Sequence, residues 1–270
     1  MKKLPWLLIL ITCLFIENTI ASTNLVDEKK VYQFSEGEYY RKLINQTKAN
    51  EYIIQNYFLD NDLPFTNQYK IKLSSDLNKE IEKQVSIDGL YIQYQKEGNS
   101  RWVNYSNGIK EGSVFEKDKR GNILSSQTYV HGVLNGVYSS WWYNGNKKSE
   151  IEYKNGKEEG KGTIWYQNGN INMVFNMQNG IMDGQIVVWH SNGTKQAKGL
   201  YLNGKKNSIW QSWYANGNKS SLIKFNLDKI ESCQQWDAQG VEKLLERSEQ
   251  VCMDIYYKFY TTTLESEPTK

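Results

Sequence analysis

"YKNGKEEGKGTIWYQNGN", residues 153–170, holds two Asn-Gly pairs, Asn155-Gly156 and Asn168-Gly169, thirteen residues apart. A type I′ hairpin turn needs φ > 0 at both central residues, and Asn-Gly meets that need best. Each pair therefore predicts a tight type I′ turn. Gly162 to Gln167 alternates as a short strand running into the second of them.

The pattern recurs. Gly121, Gly145, Gly169, Gly193 and Gly217 follow one another at steps of 24, with Gly98 and Gly240 each 23 away at the ends. In phase with them run Asn107-Gly108, His131-Gly132, Asn155-Gly156, Asn179-Gly180 and Asn203-Gly204. Four residues later come Gly112, Gly136, Gly160, Gly184 and then Ser208. A tryptophan stands four before the first turn's glycine at Trp141, Trp165, Trp189, Trp213 and Trp236, with Tyr94 and Lys117 in that place earlier. Agreement of several columns over residues 89–240 marks seven units of about 24 residues. Each unit is two short strands joined by turns. The fold expected is all-β: an elongated, single-sheet antiparallel hairpin solenoid, stabilised chiefly by contacts between neighbouring units. At about 4.8 Å per strand, fourteen strands extend roughly 65 Å.

These residues carry a resemblance. "YKNGKEEGKGTIWYQNG" and "YLNGKKNSIWQSWYANG" resemble MORN repeats, and "WWYNGNKKSEIEYKNGKEEG" is similar to the bacterial MORN variant. That variant occurs in exported proteins named YwqK family antitoxins of toxin–antitoxin systems. The resemblance covers residues 89–240 and implies a MORN-like fold and an antitoxin- or immunity-like scaffold whose partner is a protein, such as a cognate toxin. It departs at Lys117, at Ser208 and in "FNLDKIESCQQW", where the second Asn-Gly is lost.

The flanks read differently. "MKKLPWLLILITCLFIENTIA", residues 1–21, has a basic start, an apolar run and Thr19-Ile20-Ala21 for cleavage, so it reads as a signal peptide. Export to a periplasm or to the outside follows as an expectation. Residues 22–88 read as an N-terminal β-rich cap: "EYYRKLI", "EYIIQNYFLDND" and "NQYKIKL" look like strands and "SSDLNKEIEKQ" like a short helix. Residues 241–259 have the apolar spacing of a C-terminal capping helix over the open sheet edge, and 260–270 read as a disordered tail. In an oxidising compartment Cys233 and Cys252 favour a disulfide, with two free buried thiols the alternative.

Composition narrows function. Residues 22–270 carry 31 basic and 29 acidic side chains, interspersed, which offers no nucleic-acid groove. No nucleophile, metal-ligand or phosphate-loop motif is present. His131 and His190 both fall on repeat columns. Glu158, Glu159 and Asp183 sit in a polar turn rather than the low-polarity pocket that acid–base work requires. A non-enzymatic chain without cofactor or metal is expected.

The aromatics remain. Strand alternation puts Trp141, Trp165, Trp189, Trp213 and Trp236 on one face, read as a structural spine, and Trp142, Tyr166, His190 and Tyr214 on the other. The second column varies in residue type and, with Tyr138 and Trp210, is the expected partner-binding face. The alternative use of an aromatic sheet face is a membrane-lipid or cell-wall-glycan module, in peripheral contact with membrane or wall.

Overall fold

The structure, a computed structural model, describes residues 31–33, 39–48, 50–72, 74–77, 79, 86–243 and 249–264. The expected signal peptide lies outside them. The described strands pair antiparallel in chain order, except that Gly136–Trp141 and Gly184–Trp189 pair past the two-residue strands Val133–Leu134 and Ile181–Met182 with Ile123–Val130 and Ile171–Gln178, giving one continuous open sheet from Val31–Gln33 to Glu242–Lys243. Apart from a 3-10 turn at Ser74–Asp76 and one helix, α1, Glu249–Leu264, the described elements are all β-strands.

The two Asn-Gly turns of a unit differ. At the second turn Lys154 pairs with Lys157, and Asn155 and Gly156 stand at φ 50° and 78°. That is the two-residue type I′ hairpin expected. At the first turn only the glycine is left-handed: Gly169 has φ 89°, whereas Asn168 is not among the positive-φ residues. There Gly169 N–H donates to Tyr166 O at 2.9 Å and Tyr166 N–H to Asn170 O at 2.9 Å. This is a type I turn closed by a left-handed glycine. The asparagine is thus spared a left-handed φ, and its Oδ1 accepts from Asn170 N–H at 3.0 Å.

The glycine column four residues past the second turn is left-handed throughout, at Gly112, Gly136, Gly160 and Gly184, and Ser208 adopts φ 64° in the same place. Where the last unit has lost Asn-Gly, Leu227 and Asp228 hold φ 49° and 73°. The sheet imposes the turn even on residues that resist it.

One sheet face is the core face. Toward the C-terminus Phe175, Ile186, Trp210, Ile223, Phe225 and Ile230 pack with Cys252 and Ile255 of α1. Residues without side chains make room for the rings. A Cβ on Gly162 would lie 2.2 Å from the Phe175 ring, and one on Gly199 the same distance from the Trp210 indole. A second core, built on Ile54, Tyr69, Ile71, Leu77, Ile87 and Tyr91, serves the N-terminal part. Here Tyr39–Lys48, Glu51–Phe58 and Tyr69–Ile71 are strands, as their sequences suggest. The expected helix at 74–84 is described only as far as its 3-10 turn.

The C-terminal cap starts later than its apolar spacing suggests. Asp237 to Gly240 form one more first-type turn, Gly240 N–H donating to Asp237 O at 3.0 Å, so Glu242–Lys243 returns as a strand against Gln235 and Trp236. The helix α1 is described from Glu249 to Leu264, through residues 260–264 of the expected tail. A disulfide joins Cys252 of α1 to Cys233 of the strand Lys229–Trp236, Cα–Cα 5.6 Å, pinning the cap to the last unit.

Candidate functional site

The column Trp142, Tyr166, His190 and Tyr214 does not lie in strands. The strands end at Trp141, Trp165, Trp189 and Trp213, and the next residue opens the first turn, where strand alternation no longer decides direction. Each ring reaches forward one unit. Trp142 Nε1 donates to Trp165 O at 3.2 Å, Tyr166 Oη to Trp189 O at 2.7 Å and Tyr214 Oη to Trp236 O at 2.8 Å. His190 Nε2 lies 3.0 Å from Trp213 O. Trp, Tyr and His share a polar tip at comparable reach, which is why the column tolerates all three. Its variation reflects one bond made by three chemistries.

The released asparagines make a parallel ladder. Asn144 and Asn146 Nδ2 both donate to Gln167 O, Asn168 and Asn170 to Ser191 O, and Asn216 and Asn218 to Ala238 O. Asn192 Nδ2 and Thr194 Oγ1 do the same to Ala215 O. Three side-chain bonds therefore cross each joint from unit 3 to unit 7. Sequence reading gave the turn asparagine Asn168 a φ > 0 role and missed the amide ladder. Its signal was a second asparagine two residues on, at Asn146, Asn170 and Asn218, where a turn alone asks for none.

The remaining expected partner residues lie on the core side. Tyr138 is half-buried against Tyr153, centroids 6.4 Å apart. Trp210 is 6 % exposed. Its indole fills the space Gly199 leaves, donates to Leu200 O at 3.2 Å and meets Tyr201 and Phe225 edge-on. A side chain so placed presents nothing to a partner.

The tryptophans read as a spine face the other way. Trp213 is three residues from the buried Trp210 along one strand, hence on the opposite face from α1. Trp141, Trp165, Trp189, Trp213 and Trp236 are all half-buried, and no described residue accepts from their indole N–H groups. They pair across the strands with Lys147, Ile171, Lys195, Lys219 and Glu242 in turn. Lys147 Nζ also lies 5.7 Å from the Trp165 centroid and Lys219 Nζ 5.6 Å from Trp236. Val137, Leu200 and Ile209, each at least 37 % exposed, share this face. The result is a band of indoles at two-strand spacing, about 9.6 Å, with lysines and aliphatics between.

The carboxylates of the second-turn loop have structural employment. Glu159 accepts from Asn179 N–H at 2.8 Å and Glu111 from His131 N–H at 2.7 Å, each closing the next unit's turn. Glu158 accepts from Tyr153 Oη at 3.0 Å, and burial followed by that bond pushes the Tyr153 phenol up to about 12. Among the described residues no group of three His, Cys, Asp or Glu converges as a metal site.

With this geometry in view, the comparisons bear on the repeat. The family model described as "MORN repeat variant" matches residues 134–155, from the second turn of one unit to that of the next. No curated protein sequence matches the chain. The match supports a MORN repeat protein built as a repeat scaffold, and carries no antitoxin activity with it.

Proposed function

We propose that the chain is an exported, non-enzymatic scaffold that binds another protein across the outward sheet face. The observation that carries this reading is the band of Trp141, Trp165, Trp189, Trp213 and Trp236, half-buried on the outward face, with no described residue accepting from their indole N–H groups. Large aromatics with a polar tip are the side chains that anchor protein interfaces, and exposed Val137, Leu200 and Ile209 extend the apolar area. The surface is preformed by the hydrogen-bonded joints, so docking orders little. In an immunity-like role such a band would act by covering a toxin's active surface. Export rests on residues 1–21.

Native capture tests it. The full chain, tagged at its C-terminus and produced in its own host, is cross-linked mildly and recovered for mass spectrometry. One dominant protein is expected, lost when Trp165, Trp189 and Trp213 become Ala in a folded variant. Recovery without a stoichiometric protein would overturn the reading.

A second reading has its own observation. Lys147, Lys195 and Lys219 stand directly across from Trp141, Trp189 and Trp213. That alternation suits an anionic lipid or wall-glycan surface, and co-sedimentation with anionic vesicles or sacculi measures it.

A further inference from the structure

The joint between units 2 and 3 lacks what the next four share. The counterpart of the ring residue Trp142 is Asp118, and that of Asn144 is Arg120. The Asp118 carboxylate turns back on its own turn, accepting from Arg120 N–H at 2.9 Å, Asn122 N–H at 2.8 Å and Asn122 Nδ2 at 2.9 Å. Asn122, placed like Asn146 and Asn170, is thereby drawn away from the next unit. Trp141 O and Tyr143 O are the counterparts of Trp165 O and Gln167 O. Among the described residues no side chain donates to either. Where the rung is missing a cleft of about 150 Å³ opens, walled by Asp118, Asn122, Leu124, Trp142, Tyr143 and Asn144. Tyr143, 77 % exposed, stands at its lip.

We propose that this cleft is a slot for one aromatic side chain of the partner protein, Tyr or Trp, which completes the missing rung by donating its polar tip to Trp141 O, the carbonyl one residue before the Trp142 that walls the cleft. The inference rests on the protein-binding reading and names the chemistry of one anchor. The precedent lies within the chain, since Trp142, Tyr166 and Tyr214 make this bond to the following unit. Phenylalanine would fill the space but leave the carbonyl unpaired, so a ring with a donor is selected. Asp118, whose bonds from Asn122 hold its carboxyl below the usual range, stays ionised and favours a positive charge beside the ring.

The probe is tyramine, a phenol bearing an ammonium, titrated into the purified full chain while the indole resonance of Trp142 is followed by NMR. Phenethylamine, which lacks the hydroxyl, is the control. The variant Asp118→Tyr with Arg120→Asn supplies the rung from within. It is expected to melt a few degrees higher than the parent and to bind tyramine at least tenfold more weakly. In the parent, tyramine is expected to shift Trp142 saturably and more strongly than phenethylamine. Asp118→Asn, which keeps the turn, should weaken tyramine severalfold and spare uncharged p-cresol. An unshifted Trp142, equal response to both amines, or undiminished binding in the double variant would overturn the slot. Those outcomes are independent of native capture: tyramine binding without a captured protein retains the slot and removes the scaffold reading, and a captured protein indifferent to the double variant does the reverse.

Discussion

The two halves of this sheet are held by different means. Around the N-terminal strands the interior is closed: Ile54 and Ile71 are fully buried, and so are polar Arg41, Asn56, Thr66 and Asp76. Arg41 donates from Nε to Asn56 Oδ1 at 2.9 Å and from Nη1 to the carbonyls of Asp76 and Leu77 at 2.8 and 2.9 Å. From unit 3 onward the core is apolar and shallower, with Trp210, Ile223 and Phe225 buried beneath α1, and side-chain bonds along one edge link each unit to the next. A repeated thin sheet buries too little per unit to stand alone. It makes up the deficit with a term that recurs at every joint.

The largest effects come from breaking either half's own device. Arg41→Leu would strand three buried acceptors, and loss of about 3 kcal/mol or more is expected, seen as an N-terminal transition in urea that separates from the rest. Gly199→Ala forces a Cβ into the Trp210 ring, with an expected cost of about 2–3 kcal/mol. Calorimetry should show that loss in the C-terminal half alone. Tyr166→Phe removes one rung while keeping its ring. About 1 kcal/mol is expected, with faster amide exchange on both sides of the unit 4–5 joint and none in the N-terminal core.

Smaller changes sharpen the contrast. Ser208→Gly relieves a left-handed serine and should raise stability by about 1 kcal/mol, measured as the urea midpoint. The reverse sign would mean Ser208 makes a compensating contact. Acid should act on the N-terminal half. Asp76 loses solvation on burial, yet its bonds from Lys79 and Ser86 leave its pKa below the ordinary value near 4. Its contribution is therefore complete above that value and lost as pH falls through the lowered one. Asp76→Asn should flatten the acid limb of N-terminal unfolding, followed by tryptophan-free probes such as exchange of the Glu51–Phe58 amides.

How much was legible follows the same division. The period-24 glycines and tryptophans carry the hairpin sheet, because turn stereochemistry repeats without reference to anything distant. The strands at Tyr39–Lys48 and Glu51–Phe58 also show in their alternation. What did not show is direction at the strand ends. A single turn residue carries Trp142 out of the strand, so the column expected to face a partner binds the next unit, and the column read as a spine faces outward. Trp210 was placed by parity with Tyr138, but its burial depends on Gly199 across the sheet, a pairing no local pattern announces. The buried arginine was silent too, since its partners come from positions 15 to 36 residues away.

Hydrogen exchange read by mass spectrometry across the whole chain tests most directly whether the edge ladder, rather than the sheet alone, holds the C-terminal units together. Protection rising at Trp142 and staying level to Trp236, with a dip across residues 118–124 where the rung is missing, is the expected result, and Tyr166→Phe should lower the plateau locally. Protection that runs evenly through residues 118–124, and is indifferent to Tyr166→Phe, would contradict it.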